Sequence, residues 1–172
     1  MRLVIAVAAV AVAFTAAGAD PLAEGLAGKV QCYRPNPDKK TCGALSSYSL
    51  RRDGAILNTA EVMLTANPVL VMRTTSTVTV KGEAVCGPVR KEDIDSATIT
   101  VNGSALPDDK SVAVKAQIAG AFKDMFGKEV CTTYVPTGDK LTAQVTLDGK
   151  LKPEYSQTVI WVKPEDGYTV AP

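Results

Sequence analysis

Alternation of apolar and polar residues is the dominant pattern along the chain, and it predicts β-strands. From Ala44 to Arg52 and from Ile56 to Leu64 the even-numbered positions are mostly apolar, and Asp53-Gly54 lies between the two runs. Asp-Gly between alternating segments is a strong hairpin signal. The other strand-like runs are Leu70 to Lys81, Ala84 to Cys86, Ala97 to Val101, Glu129 to Val135, Leu141 to Leu147 and Thr158 to Val162. The pattern predicts about seven to eight strands in a mostly antiparallel sheet.

The period changes between residues 109 and 126, where apolar residues recur at helical spacing. This stripe, at i, i+1, i+4, i+7 and i+8, consists of Ile118, Ala119, Phe122, Met125 and Phe126. Asp108 or Ser111 is the expected N-cap, and Gly127 is the expected end of the helix. We expect this one amphipathic helix to pack on a face of the sheet with Phe122 and Phe126 in the core. The predicted fold class is therefore α+β.

The N-terminal residues form an uninterrupted apolar run that differs from the rest of the chain. Arg2 precedes the run from Leu3 to Phe14, and the small residues Ala17 and Ala19 follow it. This is the pattern of a secretory signal peptide. The run of about twelve apolar residues is shorter than the roughly twenty that a membrane-spanning helix needs. We predict cleavage near Ala19, a secreted or periplasmic location, and no transmembrane segment in the mature chain.

These patterns divide the chain into three parts. The signal peptide is predicted over residues 1–19, and the small, weakly patterned residues 20–28 are expected to form a flexible lead-in. Residues 29–172 carry the strand and helix signals and are predicted to form a single disulfide-stapled domain.

Four cysteines remain in the predicted mature chain, and an even number in an exported protein indicates two disulfides. We predict that Cys32 pairs with Cys42, because these two bracket a proline-rich turn, and that Cys86 pairs with Cys131. None of the spacings is the short C-x₂₋₄-C of a zinc site. A structural zinc ion and a free thiol are therefore not expected.

Composition and charge exclude several classes of function. The 172 residues contain 19 Lys and Arg against 18 Asp and Glu, which gives no basic surface for nucleic acid or an anionic membrane. The chain contains no histidine, so histidine-based catalytic triads and histidine metal ligands are absent.

The carboxylates offer the remaining basis for hydrolytic chemistry. Glu92, Asp93 and Asp95 lie in one charged run, and Asp108 and Asp109 lie in another. Adjacent carboxylates in short polar stretches are typical of solvated turns and helix starts, and the chain has neither a phosphate-binding loop nor a Gly-x-Ser-x-Gly motif. We predict no catalytic residue, metal or cofactor, and hence not an enzyme. A carboxylate- or metal-dependent enzyme is an alternative.

The turn enclosed by the first predicted disulfide is the best candidate for contacting a partner. It carries Tyr33, Arg34, Asn36, Lys39 and Lys40 between or beside two prolines. A rigid loop loses little entropy on docking into a cleft, which suits an inhibitor of a secreted or periplasmic hydrolase. The favoured interpretation is a structural staple. Overall, the sequence predicts an exported non-enzymatic protein with a binding or envelope-structural role, whose partner would be an envelope or secreted protein.

Two segments of the chain resemble each other. Tyr33 follows Cys32 and precedes a proline by two residues, and Tyr134 follows Cys131 at a slightly longer distance and also precedes a proline by two. Because the spacings differ, two unrelated hairpins are the favoured interpretation, with an ancient duplication as the alternative.

Overall fold

The structure, a computed structural model, describes residues 20–172, and the predicted signal peptide over 1–19 lies outside these described residues. The strands are β1 Val30–Tyr33, β2 Thr41–Cys42, β3 Ala44–Leu50, β4 Ile56–Ala66, β5 Val69–Lys81, β6 Ala84–Pro88, β7 Thr98–Val101, β8 Ser104–Ala105, β9 Glu129–Thr137, β10 Lys140–Leu147, β11 Lys150–Leu151, β12 Gln157–Val162 and β13 Thr169–Val170. The helices are α1 Ala23–Leu26, α2 Lys91–Asp95 and α3 Asp108–Phe122, with 3₁₀ helices at Lys123–Met125, Pro153–Tyr155 and Pro164–Asp166. The mostly antiparallel β-structure confirms the main prediction from the alternating pattern.

Eight of the strands form a closed barrel in which each strand is antiparallel to its neighbours. They follow chain order around the barrel, as β1, β3, β4, β5, β6, β9, β10 and β12, and β12 pairs back onto β1. The predicted hairpin at Asp53-Gly54 joins β3 to β4. The first residues of β5 also pair with β7, which turns back into β8. Closure pairs the first barrel strand with the last, so the barrel has no free edge there.

The strand registers determine which residues point into the barrel. Gln31 of β1 lies opposite both Ser46 of β3 and Trp161 of β12, so these three side chains share one face. The same face continues through the even-numbered residues of β3, β4 and β5, for example at Tyr48 and Asn58. The alternation in the sequence is thus an alternation between the inside and the outside of the barrel.

Helix α1 closes the end of the barrel at which β1 begins. Leu22, which precedes the helix, is fully buried. A Cβ atom at Gly25 would lie 2.8 Å from the ring of Tyr48 and 3.1 Å from the ring of Trp161, so glycine permits this close approach. Residues 20–28, which were expected to be a flexible lead-in, therefore include a short helix and a buried side chain. The physical reason is that the barrel end presents aromatic rings that the adjoining segment covers.

The predicted helix is present as α3, but its expected position across a sheet face is wrong. Within α3, Ala119 is the one buried residue, and the helix packs against α2. The side chain of Phe122 is 41% exposed, and Phe126 is only half-buried. The helix begins after Pro107 without a side-chain cap, so neither predicted N-cap is used. A closed barrel buries its inner face by itself and does not need a helix to cover it.

Both predicted disulfides are confirmed, and the described residues contain no free cysteine. Cys32 and Cys42 join β1 to the outer strand β2, which pairs with β13. Cys86 and Cys131 lie directly opposite each other on β6 and β9. Two disulfides are compatible with an extracellular or periplasmic location. Among residues 20–172, no helix combines the length and the apolar composition that crossing a membrane requires.

Candidate functional site

A cluster of polar side chains surrounds Gln31 inside the barrel. Gln31 is fully buried, and the hydroxyl groups of three tyrosines donate to its Oε1 atom. The donor oxygens of Tyr33, Tyr48 and Tyr134 lie 2.9, 2.9 and 3.1 Å from that atom. The Nε2 atom of Gln31 has no hydrogen-bond partner, and among the described residues it is the one buried side-chain nitrogen or oxygen in this state. The cluster therefore leaves one polar atom of the amide unsatisfied.

The three tyrosines of this cluster are held in their neutral form. Burial raises the pKa of Tyr33, Tyr48 and Tyr134 far above the ordinary tyrosine value, and the proximity of the other hydroxyl groups raises it further. Neutral phenols can donate and accept hydrogen bonds but do not act as bases or nucleophiles near neutral pH. The cluster is therefore suited to binding and to positioning.

Tyr33, the aromatic residue of the predicted contact loop, belongs to this interior cluster. It lies at the end of β1, and its hydroxyl oxygen is 2.8 Å from the hydroxyl oxygen of Tyr134. Tyr33 and Tyr134 are the tyrosines of the two similar sequence segments, so these segments meet inside the barrel. Sequence reasoning missed Gln31, although the spacing of Gln31 and Tyr33 by two residues places both on one strand face.

A second polar pair extends the lining of the barrel from β3 to β4. Asn58 donates from Nδ2 to Ser46 Oγ and, at 3.3 Å, to the carbonyl oxygen of Ser47. Ser76 lies opposite Asn58 in the register of β5 and adds a third polar side chain on this face. The barrel interior is consequently amphipathic, because aliphatic residues such as Val62 of β4 and Val78 of β5 lie on the same face toward the ends of these strands.

One cavity opens at the end of the barrel opposite α1, and we call it the Arg34 cavity. Its volume is about 240 Å³. It is lined by Tyr33, Arg34, Ala44, Leu45, Ser46, Ala60, Val62 and Gln157. Among residues 20–172, Arg34 is the one charged residue that lines this cavity. The cavity thus combines aliphatic side chains with a hydroxyl cluster and a cation.

A larger cavity lies at the same end of the barrel, beneath the C-terminal end of α3, and we call it the Phe122 cavity. Its volume is about 480 Å³, within the usual range of small-molecule sites. It is lined by Val89, Ala121, Phe122, Met125, Val130, Val145, Leu147, Tyr155 and Gln157. Gln157 also lines the Arg34 cavity, so the two cavities are neighbours.

The other residues of the predicted contact loop remain outside the barrel. Lys39 is exposed on the loop, and Lys40 donates from Nζ to the backbone oxygen of Asp166 at 3.0 Å. The backbone nitrogen of Thr169 donates to the oxygen of Lys40, which ties the loop to the C-terminal segment. Arg34, in contrast, turns back over Gly43 at the barrel rim.

The candidate carboxylates lie on the helices and line neither of the two cavities. Asp95 forms an ion pair with Lys91 at 2.7 Å on α2. Partial burial raises the pKa of Asp93, and Glu92 raises it further, whereas Arg90 acts in the opposite direction. The remaining pair, Asp108 and Asp109, occupies the first turn of α3.

The sulfur atoms of Cys86 and Cys131 lie near the carboxylate of Glu129, a combination that can hold a metal ion. Both sulfur atoms are joined in the disulfide, so neither is available as a thiolate ligand. The group therefore does not form a metal site in the oxidised protein.

The barrel end opposite α1 is the candidate functional site. It brings together two neighbouring cavities, a cation at Arg34 and the exposed ring of Phe122. Helix α1 shields the opposite end, so the cavities open on one side of the barrel. Comparison with family models, curated proteins and solved structures finds no match to this chain.

Proposed function

We propose that this chain is an exported binding protein that holds a small, largely apolar molecule at the open end of its barrel. The observation that carries the proposal is the Phe122 cavity, with its volume of about 480 Å³ and its mainly apolar lining. Phe122 is 41% exposed at this cavity. Removing apolar surface from water is favourable by about 25 cal/mol per Å², so an apolar ligand that covers this ring gains affinity.

The architecture supports this proposal independently of the cavity. A closed barrel of eight strands has an interior just wide enough either to be filled by side chains or to hold one small ligand. Here several inward-facing residues, such as Val62, Met72 and Val78, are only half-buried. Unfilled space inside the barrel is therefore consistent with binding.

The predicted leader and the two disulfides favour function outside the cytoplasm. In this environment a carrier or receptor for small amphipathic molecules has no need of a reactive residue. The neutral tyrosines around Gln31 would provide hydrogen bonds rather than chemistry. Under this proposal the protein is not an enzyme, and neither a metal nor a cofactor takes part.

A fluorescence titration with N-phenyl-1-naphthylamine, a neutral apolar probe, tests the proposal. We expect saturable binding with enhanced fluorescence and a single site per chain. Ala121→Phe adds a ring to an exposed helix position that lines the cavity and should weaken binding at least tenfold. Ala113→Phe makes the same change at an exposed position of α3 outside both cavities and should leave binding unchanged.

Two results would contradict the proposal. Absence of saturable probe binding by the folded, disulfide-bonded protein would remove the small-ligand function. Equal weakening by both phenylalanine variants would show that the probe binds to the helix surface and not to the Phe122 cavity.

A further inference from the structure

We propose that the bound molecule carries an oxyanion head, a carboxylate or a phosphate, and that Arg34 binds this head while the apolar chain occupies the Phe122 cavity. The inference rests on the proposed function and specifies the chemical class of its ligand. It is carried by the position of Arg34 in the lining of the cavity that adjoins the Phe122 cavity, by its surroundings and by the glycine beneath it.

The guanidinium group of Arg34 lies across Gly43 at the rim of the barrel. A Cβ atom at Gly43 would collide with Nε, Cζ and Nη2 of Arg34. Glycine at this position is therefore what allows the guanidinium to lie against the backbone beside the cavity. Position 43 lies between β2 and β3, and the colliding atoms are the far end of a flexible side chain, so a larger residue there would displace Arg34 rather than the backbone.

The backbone of Arg34 is also held in an uncommon conformation. Its φ of 51° lies in the left-handed region, which residues other than glycine rarely occupy. The backbone nitrogen of Arg34 donates to the oxygen of Thr158 at 2.9 Å, and the nitrogen of Gly43 donates to the oxygen of Tyr33 at 2.8 Å. These bonds on both sides fix the backbone from which the side chain of Arg34 projects, directly after β1, and such strained residues are concentrated at functional sites.

No acidic side chain neutralises Arg34 within the described part of the chain. Arg34 forms no ion pair among residues 20–172, whereas Arg73 is paired with Glu61 at 3.1 Å. The lining of the Arg34 cavity contains no carboxylate. An arginine that borders a partly apolar cavity without a counter-charge is suited to an anionic ligand.

The chemistry of the guanidinium selects the head group. Its planar set of N–H donors matches carboxylate and phosphate oxygens in a two-point arrangement, which a single hydroxyl cannot reproduce. Gln157 borders both cavities, so a molecule with its head at Arg34 can extend past Gln157 into the Phe122 cavity. The geometry therefore fits an amphiphile with one anionic end.

The test measures displacement of N-phenyl-1-naphthylamine by three ten-carbon compounds, namely decanoate, decyl phosphate and 1-decanol, all below their aggregation limits. The wild-type protein should bind at least one of the two anions about tenfold more tightly than 1-decanol. The arms with decanoate and decyl phosphate distinguish between the two head groups. Arg34→Gln should weaken binding of the preferred anion at least tenfold and leave 1-decanol unchanged.

Two further variants separate position from charge. Gly43→Ala keeps the charge but displaces the guanidinium, so it should also weaken anion binding while 1-decanol binding is retained. Lys39→Gln removes the same charge from an exposed residue of the same loop and should have no effect. In the double variant with Arg34→Gln, Gly43→Ala should add no further loss, because both changes remove one interaction.

The outcomes separate the inference from the function on which it rests. If the wild type binds neither the probe nor any of the three compounds, the proposed function itself fails. If 1-decanol binds as tightly as both anions, or if Arg34→Gln weakens all three compounds equally, the ligand function stands and the role of Arg34 is wrong. Equal effects of Arg34→Gln and Lys39→Gln would indicate general electrostatic attraction and would overturn the specific site.

Discussion

Gln31 is the residue around which the polar side chains of the barrel interior gather. Its amide is buried completely, and three hydroxyl groups converge on one of its two polar atoms. A buried polar atom left without any partner costs about 1–3 kcal/mol. The cluster adjoins the Arg34 cavity through Tyr33. A polar ligand group or a water molecule that reached Nε2 would offset this cost.

The three tyrosines around Gln31 predict a loss of stability at alkaline pH. Their pKa values are raised in the folded state, so above about pH 10 the unfolded chain releases protons that the folded chain retains. The unfolded state then binds fewer protons, and the free energy of unfolding falls as pH rises. Each tyrosine contributes a slope of about 1.4 kcal/mol per pH unit well above pH 10. Stability should be insensitive to these groups below that pH.

Urea unfolding between pH 9 and pH 11.5 checks this prediction. Tyr48→Phe keeps the ring that packs near Gly25 but removes one titrating hydroxyl. The free energy of unfolding of this variant should therefore fall with pH less steeply than that of the wild type, and the difference should equal the contribution of one tyrosine. Absorbance at 295 nm should report ionisation of the buried phenols only as the protein unfolds. Parallel pH profiles for the two proteins would show that the prediction is wrong.

At the scale of the elements, α3 differs most from expectation. Its apolar stripe was expected to cover the sheet, yet the C-terminal end of the helix instead borders a cavity through Ala121 and Phe122. The helix buries Ala119 and packs against α2. An amphipathic pattern specifies that one side is apolar, but it does not specify what that side faces.

Truncation of Phe122 to alanine tests how far its ring is buried. A fully buried phenylalanine costs roughly 3–5 kcal/mol when replaced by alanine. Because Phe122 is 41% exposed, we expect Phe122→Ala to lower the free energy of unfolding by only about 1–2 kcal/mol. It should also weaken binding of the naphthylamine probe. The control is Val112→Ala, at a residue of the same helix that is 66% exposed, for which little change is expected.

A loss of 3–5 kcal/mol in Phe122→Ala, measured by urea unfolding, would mean that the ring is buried in solution. It would favour the original expectation that the helix lies across the sheet.

At the scale of the whole molecule, the barrel is open at one end and closed at the other. The closed end depends on the segment before β1, where Leu22 is fully buried and Gly25 lies against two aromatic rings. The open end contains both cavities. This asymmetry allows one end to stabilise the fold while the other remains available to a ligand.

Leu22→Ala tests the contribution of the closed end. A fully buried leucine costs about 2–5 kcal/mol when it is replaced by alanine, so we expect a loss of stability in this range. Leu26→Ala changes the same residue type in the same short segment, but Leu26 is 40% exposed and the cost should be well below that of Leu22→Ala. Thermal and urea unfolding provide the measurement. Equal costs for the two variants would mean that residues 20–28 behave as the flexible lead-in that their composition predicts.

Eight of the strands, α3 and the Cys32–Cys42 pair could be predicted because they depend on local features, and Cys86–Cys131 followed as the remaining pair. Strand β1, which carries Gln31, was not predicted, and neither were the two-residue strands β2, β8, β11 and β13. Alternation marks strands such as β3, β4 and β10, Asp53-Gly54 marks a hairpin, and the proline-rich turn places Cys32 near Cys42. The candidate site could be predicted only in part. Arg34 was singled out by its loop, whereas the roles of Gln31 and Gly43 depend on residues far away in the chain.

Local patterns therefore specify most of the strands and α3, because the period-two or helical spacing of apolar residues reflects the contact of each segment with an apolar surface. The pairing of β1 with β12, which closes the sheet, follows from the folded structure and not from any local pattern. An alternating strand has two faces, and its pattern does not specify whether the apolar face packs against a helix, against a second sheet or against other strands of the same closed sheet. Closure places Tyr33 beside Tyr134 and Arg34 over Gly43, and it thereby creates the cavities.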